Sequence, residues 1–120
     1  METDRKQELR KRTKDYALSI VRFYSALPVK QTTIEVLGKQ LLRSGTSVAA
    51  NYREASRARS RAEFIAKIEL CTQEADETQL WLELLREGCS IDGSQIGLLW
   101  KETDELISIF VTMAKNSKQE

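Results

Sequence analysis

Apolar residues in this chain recur at alternating spacings of three and four, the signature of helices that each bury one stripe. A first helix is expected over 4–27, where Leu9, Thr13, Tyr16, Ile20, Phe23 and Leu27 share a face. Pro28 ends it, because the residue before a proline is pushed out of the helical region. A second helix over 32–56 aligns Ile34, Leu37, Leu41, Val48, Tyr52 and Ala55, and Thr32 with Glu35 fits a capping box at its start. A third over 60–87 aligns Phe64, Ile68, Cys71, Ala75, Thr78, Leu82 and Leu85. Ser60 with Glu63 is its capping box, and Gly88 its expected left-handed cap. A fourth over 94–115, capped by Asp92 or Ser94, aligns Ile96, Leu99, Thr103, Leu106, Phe110 and Met113. Trp100, Ile107 and Ala114 lie alongside, and the KNSKQE tail is expected to fray. Amphipathic helices joined by short turns pack most simply as neighbours. The expected fold is all-α, an antiparallel up-and-down four-helix bundle forming a single domain over 1–120.

Two features exceed what one bundle core needs. On the third helix Ala66, Leu70, Trp81 and Leu84 occupy a second face, about 100° to 160° from the main stripe. That width predicts self-association, with Leu70, Trp81 and Leu84 at the interface between copies, an ordinary core tryptophan being the plain alternative for Trp81. On the second helix Ser44, Ser47, Asn51 and Glu54 run beside the apolar stripe at helical spacing. Polar groups bordering a core need partners. Together with Arg43, Glu74 and Glu77 they read as a structural network in which Arg43 pairs with Glu74 or Glu77. The competing reading is a carboxylate ligand or metal site. Di-metal bundles usually add histidines through an ExxH pattern, which Glu74-Ala75-Asp76-Glu77 does not supply.

Composition narrows the chemistry further. The chain has 120 residues, is 41% hydrophobic and 31% charged, and contains one proline and five glycines, so its elements are few and long. A net charge of +1 argues against a generally basic nucleic-acid binder. Locally the balance differs. Arg5, Lys6, Arg10, Lys11, Arg12 and Lys14 crowd the start of the first helix, and Arg53, Arg57, Arg59 and Arg61 surround the second turn. All of these except Arg12 are the candidate nucleic-acid-binding residues, with a solvated charged face as the plain alternative. Neither an RNA-stacking motif nor a recognition helix accompanies them.

Histidine is absent, which removes the commonest general base and transition-metal ligand. No phosphate-binding glycine loop and no GxSxG elbow occurs. Neither a catalytic residue, a cofactor nor a metal site is nominated, and an enzyme is not expected. Cys71 and Cys89 would lie about 27 Å apart along one helix, beyond disulfide reach, and read as free thiols in a reducing compartment. The amino terminus is charged throughout, and no apolar run approaches the roughly 20 residues of a membrane span. A cytoplasmic location without membrane contact is expected.

The stretch from Leu37 to Leu85 closely resembles the four helix bundle protein family, whose founding members are encoded in intervening sequences of bacterial 23S rRNA genes and are called ribosomal-protein-like. The resemblance rests on Gln40, Leu41, Arg43, Ser44, Ser47, Asn51 and Glu54, followed across a basic turn by Ser60, Glu63, Phe64, Lys67, Glu74, Glu77, Thr78, Trp81, Leu82, Leu84 and Leu85. One departure is Glu54-Ala55, where many members have Glu-Gly. The resemblance implies a bundle that assembles into a homopentamer with a central channel and has no established enzymatic activity. A related accessory protein of diversity-generating retroelements implies a further role, a basic scaffold for a reverse transcriptase and nucleic acid. The resulting expectation is a non-enzymatic homo-oligomeric scaffold whose partners are its own copies and RNA, DNA or a nucleic-acid-associated protein. The runner-up is a pure protein–protein interaction module.

Overall fold

The computed structural model describes the backbone of residues 2–28 and 30–120, and side chains from residue 4 onward apart from residue 29. Met1, the first residue of the charged amino terminus, lies outside them. Four helices follow one another: α1 (Glu2–Ser25), α2 (Thr32–Ser56), α3 (Arg61–Cys89) and α4 (Gly93–Gln119). Short connections force each helix to run back along its predecessor, giving an antiparallel bundle of 48 × 21 × 21 Å. The predicted stripes form the core. Ile20, Leu41, Val48, Ile68, Leu82, Leu85, Leu106 and Phe110 are fully enclosed. Phe110 stacks on Tyr52 with ring centroids 6.2 Å apart. At Gly45 the Ile20 side chain of α1 packs directly onto the α2 backbone, since a Cβ there would sit 2.9 Å from Ile20 Cγ1 and Cγ2.

Halfway along the bundle every helix contributes one buried hydroxyl. Tyr16 of α1 lies 2.6 Å from Thr103 Oγ1 of α4, which itself donates to the Leu99 carbonyl, so the phenol is the donor to Thr103. Thr78 of α3 lies 2.8 Å from Ser44 Oγ of α2 and 2.8 Å from the Glu74 carbonyl, and it also faces the Tyr16 phenol. Each hydroxyl has a partner, so the layer is not left unsatisfied in a low-dielectric core. It also defines register, because sliding one helix by a turn would leave several of these groups unpaired.

Helix ends depart from the sequence expectations in five places, the first being α1, which stops at Ser25 before the expected Leu27. Gln31, extended, caps α2 without a side-chain bond, and Thr32 is already helical, so the Thr32–Glu35 capping box does not form. At α3 Ser60 accepts from the Glu63 amide (3.1 Å) as expected, but Glu63 reaches back to the Arg59 amide (3.1 Å) instead of that of Ser60. Gly88 stays helical, and Ser90 takes the left-handed position at φ 57° with its amide on the Leu85 carbonyl. The tail does not fray. It has no helix breaker, Lys118 pairs with Glu69 (2.7 Å), and Arg61 donates to the Glu120 carbonyl (2.9 Å), so α4 continues to Gln119. Asp92, not Ser94, caps α4, accepting from the Ser94 amide at 3.2 Å.

Burial pushes the Cys71 thiol and the Tyr16 and Tyr52 phenols each up to about 12, since their anions would lose hydration. The unfolded chain ionises first, the thiol near 9.0 and the phenols near 10.0. Between those values and about 12 the unfolded state binds fewer protons, so stability falls as pH rises. Urea midpoints are therefore expected to hold up to about pH 9 and to fall steeply towards 12, with Cys71→Ala removing the earliest part of the fall. A midpoint unchanged through that window would contradict the burial of these groups.

Candidate nucleic-acid interface

The antiparallel order carries the start of α1, the end of α2, the start of α3 and the end of α4 to one end of the bundle. Charge collects there. Thirteen of the nineteen Lys and Arg fall within 4–14, 53–67 and 115–120, against five of the eighteen carboxylates. A chain close to neutral thus presents one strongly basic end.

Of the nine nominated cations only Lys11 pairs with a carboxylate among the described residues, on Asp15 at 2.7 Å. Lys6, Lys14, Arg53, Arg57 and Arg59 are exposed, Arg10 is half-buried, and Arg5 and Arg61 are exposed beside a cleft. Some cations outside the nominated set are committed to the fold. Arg12 clamps α1 to α4 through Glu102 (2.9 and 2.7 Å) and Glu105 (3.2 Å), and Lys67 holds Glu54 at 2.8 Å. The hydrogen bonds to Glu102 hold the Arg12 proton more tightly than usual.

The cleft, about 610 Å³, opens among all four helices. Arg5, Lys6 and Arg61 lie along it, Phe64 and Met113 form part of its wall, and Asn116 and Ser117 add polar edges. Tyr52 also lines it, and the Tyr52 hydroxyl is buried without a hydrogen-bond partner among the described residues. Sequence reasoning missed this feature, because Phe64 and Tyr52 read as ordinary members of core stripes. Phe64 is in fact only half-buried.

The polar line of α2 splits into separate contacts. Arg43 donates from Nη1 to Glu74 (3.0 Å) and from Nη2 to Glu77 (2.8 Å), bridging α2 and α3. Ser44 belongs to the central hydroxyl layer, Asn51 turns back to the Ser47 carbonyl (3.0 Å), and Glu54 holds Lys67. Ser47 is half-buried, with no side-chain hydrogen bond among the described residues. Among those residues no three carboxylates or thiols converge as a metal site. The Glu74 side chain is 14% exposed and Arg43 49%, so the bridge ranks between a surface and a buried pair. Arg43→Met is expected to cost about 1–2 kcal/mol by leaving two carboxylates adjacent. Urea unfolding with an unchanged m-value checks this. A double-mutant cycle with Glu74→Gln that gives no coupling would contradict it.

On α3, Leu70 is 40% and Leu84 39% exposed. Trp81 is half-buried, and its indole Nε1 is enclosed yet has no acceptor among the described residues. The second face of α3 thus carries exposed apolar side chains and an orphan donor, interleaved with Glu74 and Glu77, which Arg43 holds. Among the described residues, no helix is long and apolar enough to cross a membrane.

The sequence profile of the 23S rRNA-intervening sequence proteins matches residues 5–112. A solved structure from Bacteroides thetaiotaomicron, described as a protein with unknown function from the S23 ribosomal protein family, is similar throughout. It is 36% identical over 92% of this chain and 97% of its own, with a TM-score of 0.83. Among curated proteins there is no match. With nearly all of the bundle covered by that profile, the chain belongs to the 23S rRNA-intervening sequence protein family.

Proposed function

We propose that this protein is a non-enzymatic scaffold that assembles with its own copies and holds nucleic-acid phosphates at its basic end. The observation that carries the reading is that eight of the nine nominated cations have no carboxylate partner among the described residues. Unpaired Lys and Arg on one end make an electrostatic footprint for phosphates, and association releases counterions from the nucleic acid. Self-assembly would repeat the footprint and multiply its field. The second face of α3 supports that assembly. Leu70 and Leu84 offer apolar area, and Trp81 is an aromatic anchor whose orphan indole a neighbouring copy could satisfy. A pentamer, the state the family resemblance implies, is the proposed assembly, and the cytoplasm is the proposed location.

Filter retention of a labelled, structured rRNA fragment tests the phosphate reading. Retention is expected at low salt and loss at moderate salt, and no retention at low salt would overturn it. Sedimentation velocity at micromolar concentration tests the assembly, and a monomer would overturn it. An oligomer that retains no nucleic acid would leave the protein-interaction reading, which exposed Leu70 and Leu84 with the orphan indole of Trp81 favour.

A further inference from the structure

The basic end contains a hole as well as a surface. At about 610 Å³ the cleft lies within the usual size of small-molecule sites, roughly 300–1,000 Å³. Its lining combines three chemistries. Phe64 and Met113 offer apolar faces, Asn116 offers an amide donor and acceptor, and Arg5, Lys6 and Arg61 offer positive charge. Tyr52 lines the cleft too, and its hydroxyl, enclosed without a partner among the described residues, is an unsatisfied polar group of the kind that calls for a water or a ligand.

An alkyl chain would leave the amide and the phenol unpaired. A free phosphate would leave Phe64 and Met113 wet. A nucleotide satisfies all three, having a flat apolar ring, a hydrogen-bonding edge and an anionic link. Single strands present such units to proteins by splaying bases onto aromatic side chains, whereas a duplex keeps its bases stacked inside.

We propose that the cleft holds one splayed base of a single-stranded nucleic acid, with Phe64 against its face, Asn116 and Tyr52 at its edge, and Arg5, Lys6 and Arg61 on the adjoining phosphates. Arg61 at present donates to the Glu120 carbonyl at 2.9 Å. A phosphate replaces that contact with an ion pair. This assignment rests on the reading of the basic end as a nucleic-acid interface and adds to it a preference for unpaired strands.

The test compares the binding of three fluorescent ligands by the full chain at one salt concentration. They are a short thymidine oligonucleotide, an abasic strand of equal length and a duplex of equal length. The thymidine strand is expected to bind about tenfold more tightly than the abasic one, the effect of one stacked base. Phe64→Leu and Asn116→Ala should each remove most of that difference while leaving the abasic affinity unchanged. Asn116 is exposed, so its substitution reads the cleft without disturbing the core. Equal affinities for thymidine and abasic strands, or a preference that survives both substitutions, would overturn the cleft assignment while leaving the phosphate interface standing. Tighter binding of the duplex would overturn it too. Saturable binding of decanoate without any preference for bases would assign the cleft to an amphiphile and overturn it as well. No binding of any strand would overturn the interface reading itself.

Discussion

Phe110→Ala is expected to remove about 3–5 kcal/mol of stability, the range for deleting an enclosed aromatic ring. The side chain has no exposed surface and stacks on Tyr52, so both its transfer free energy and an aromatic contact are lost. Phe110 sits on α4 and Tyr52 on α2, across the bundle, and α1 and α4 touch more sparingly than the other neighbouring pairs. For a domain of this size the whole stability is of order 5–15 kcal/mol, so the variant approaches the threshold of folding. Thermal and urea unfolding check the effect. Val111→Ala, one position on and half exposed, is expected to stay within about 0.5 kcal/mol. Similar losses for both variants would contradict the packing described.

The second large effect is on binding. Replacing Arg53, Arg57, Arg59 and Arg61 together with glutamine is expected to weaken association with an rRNA fragment on the order of a hundredfold at low salt. The slope of log affinity against log salt should shrink by about three units, since each lost phosphate contact removes just under one. Stability should change little, because among the described residues none of the four guanidiniums pairs with a side-chain carboxylate, all are exposed, and the one bond lost, Arg61 to the Glu120 main-chain oxygen, touches only the last residue. The same substitution at Arg12 or Arg43 would confuse the two effects, as both clamp helices together.

Much of this architecture is readable before any coordinates. The stripe of α1 lands in the core residue by residue, and that of α4 does so up to Met113, which is half-buried at the cleft, because helical periodicity and burial obey the same geometry. Local polar chemistry is less legible. Thr32 and Gly88 have the right identities for caps, yet Gln31 and Ser90 occupy those positions, since tertiary packing set the helix length and a one-residue shift costs little. The tail is expected from sequence to fray because its contacts, Lys118 with Glu69 and Arg61 with Glu120, join residues far apart in the chain. The central hydroxyl layer escaped for the same reason. Tyr16, Ser44, Thr78 and Thr103 each look tolerable in a stripe, and only the fold brings them together. For the candidate site, the cations were visible in the sequence. Which of them the fold consumes was not, and the cleft behind them was invisible, because its walls come from four separate segments.

The most direct measurement is to crosslink a 4-thiouridine-bearing RNA to the intact protein with ultraviolet light and map the attached peptides by mass. Crosslinks confined to residues 5–14, 53–64 and 108–117 are the predicted result. Crosslinks concentrated at the opposite end, around Arg22, Lys30 and Arg86, would contradict the assignment of the basic end as the nucleic-acid interface.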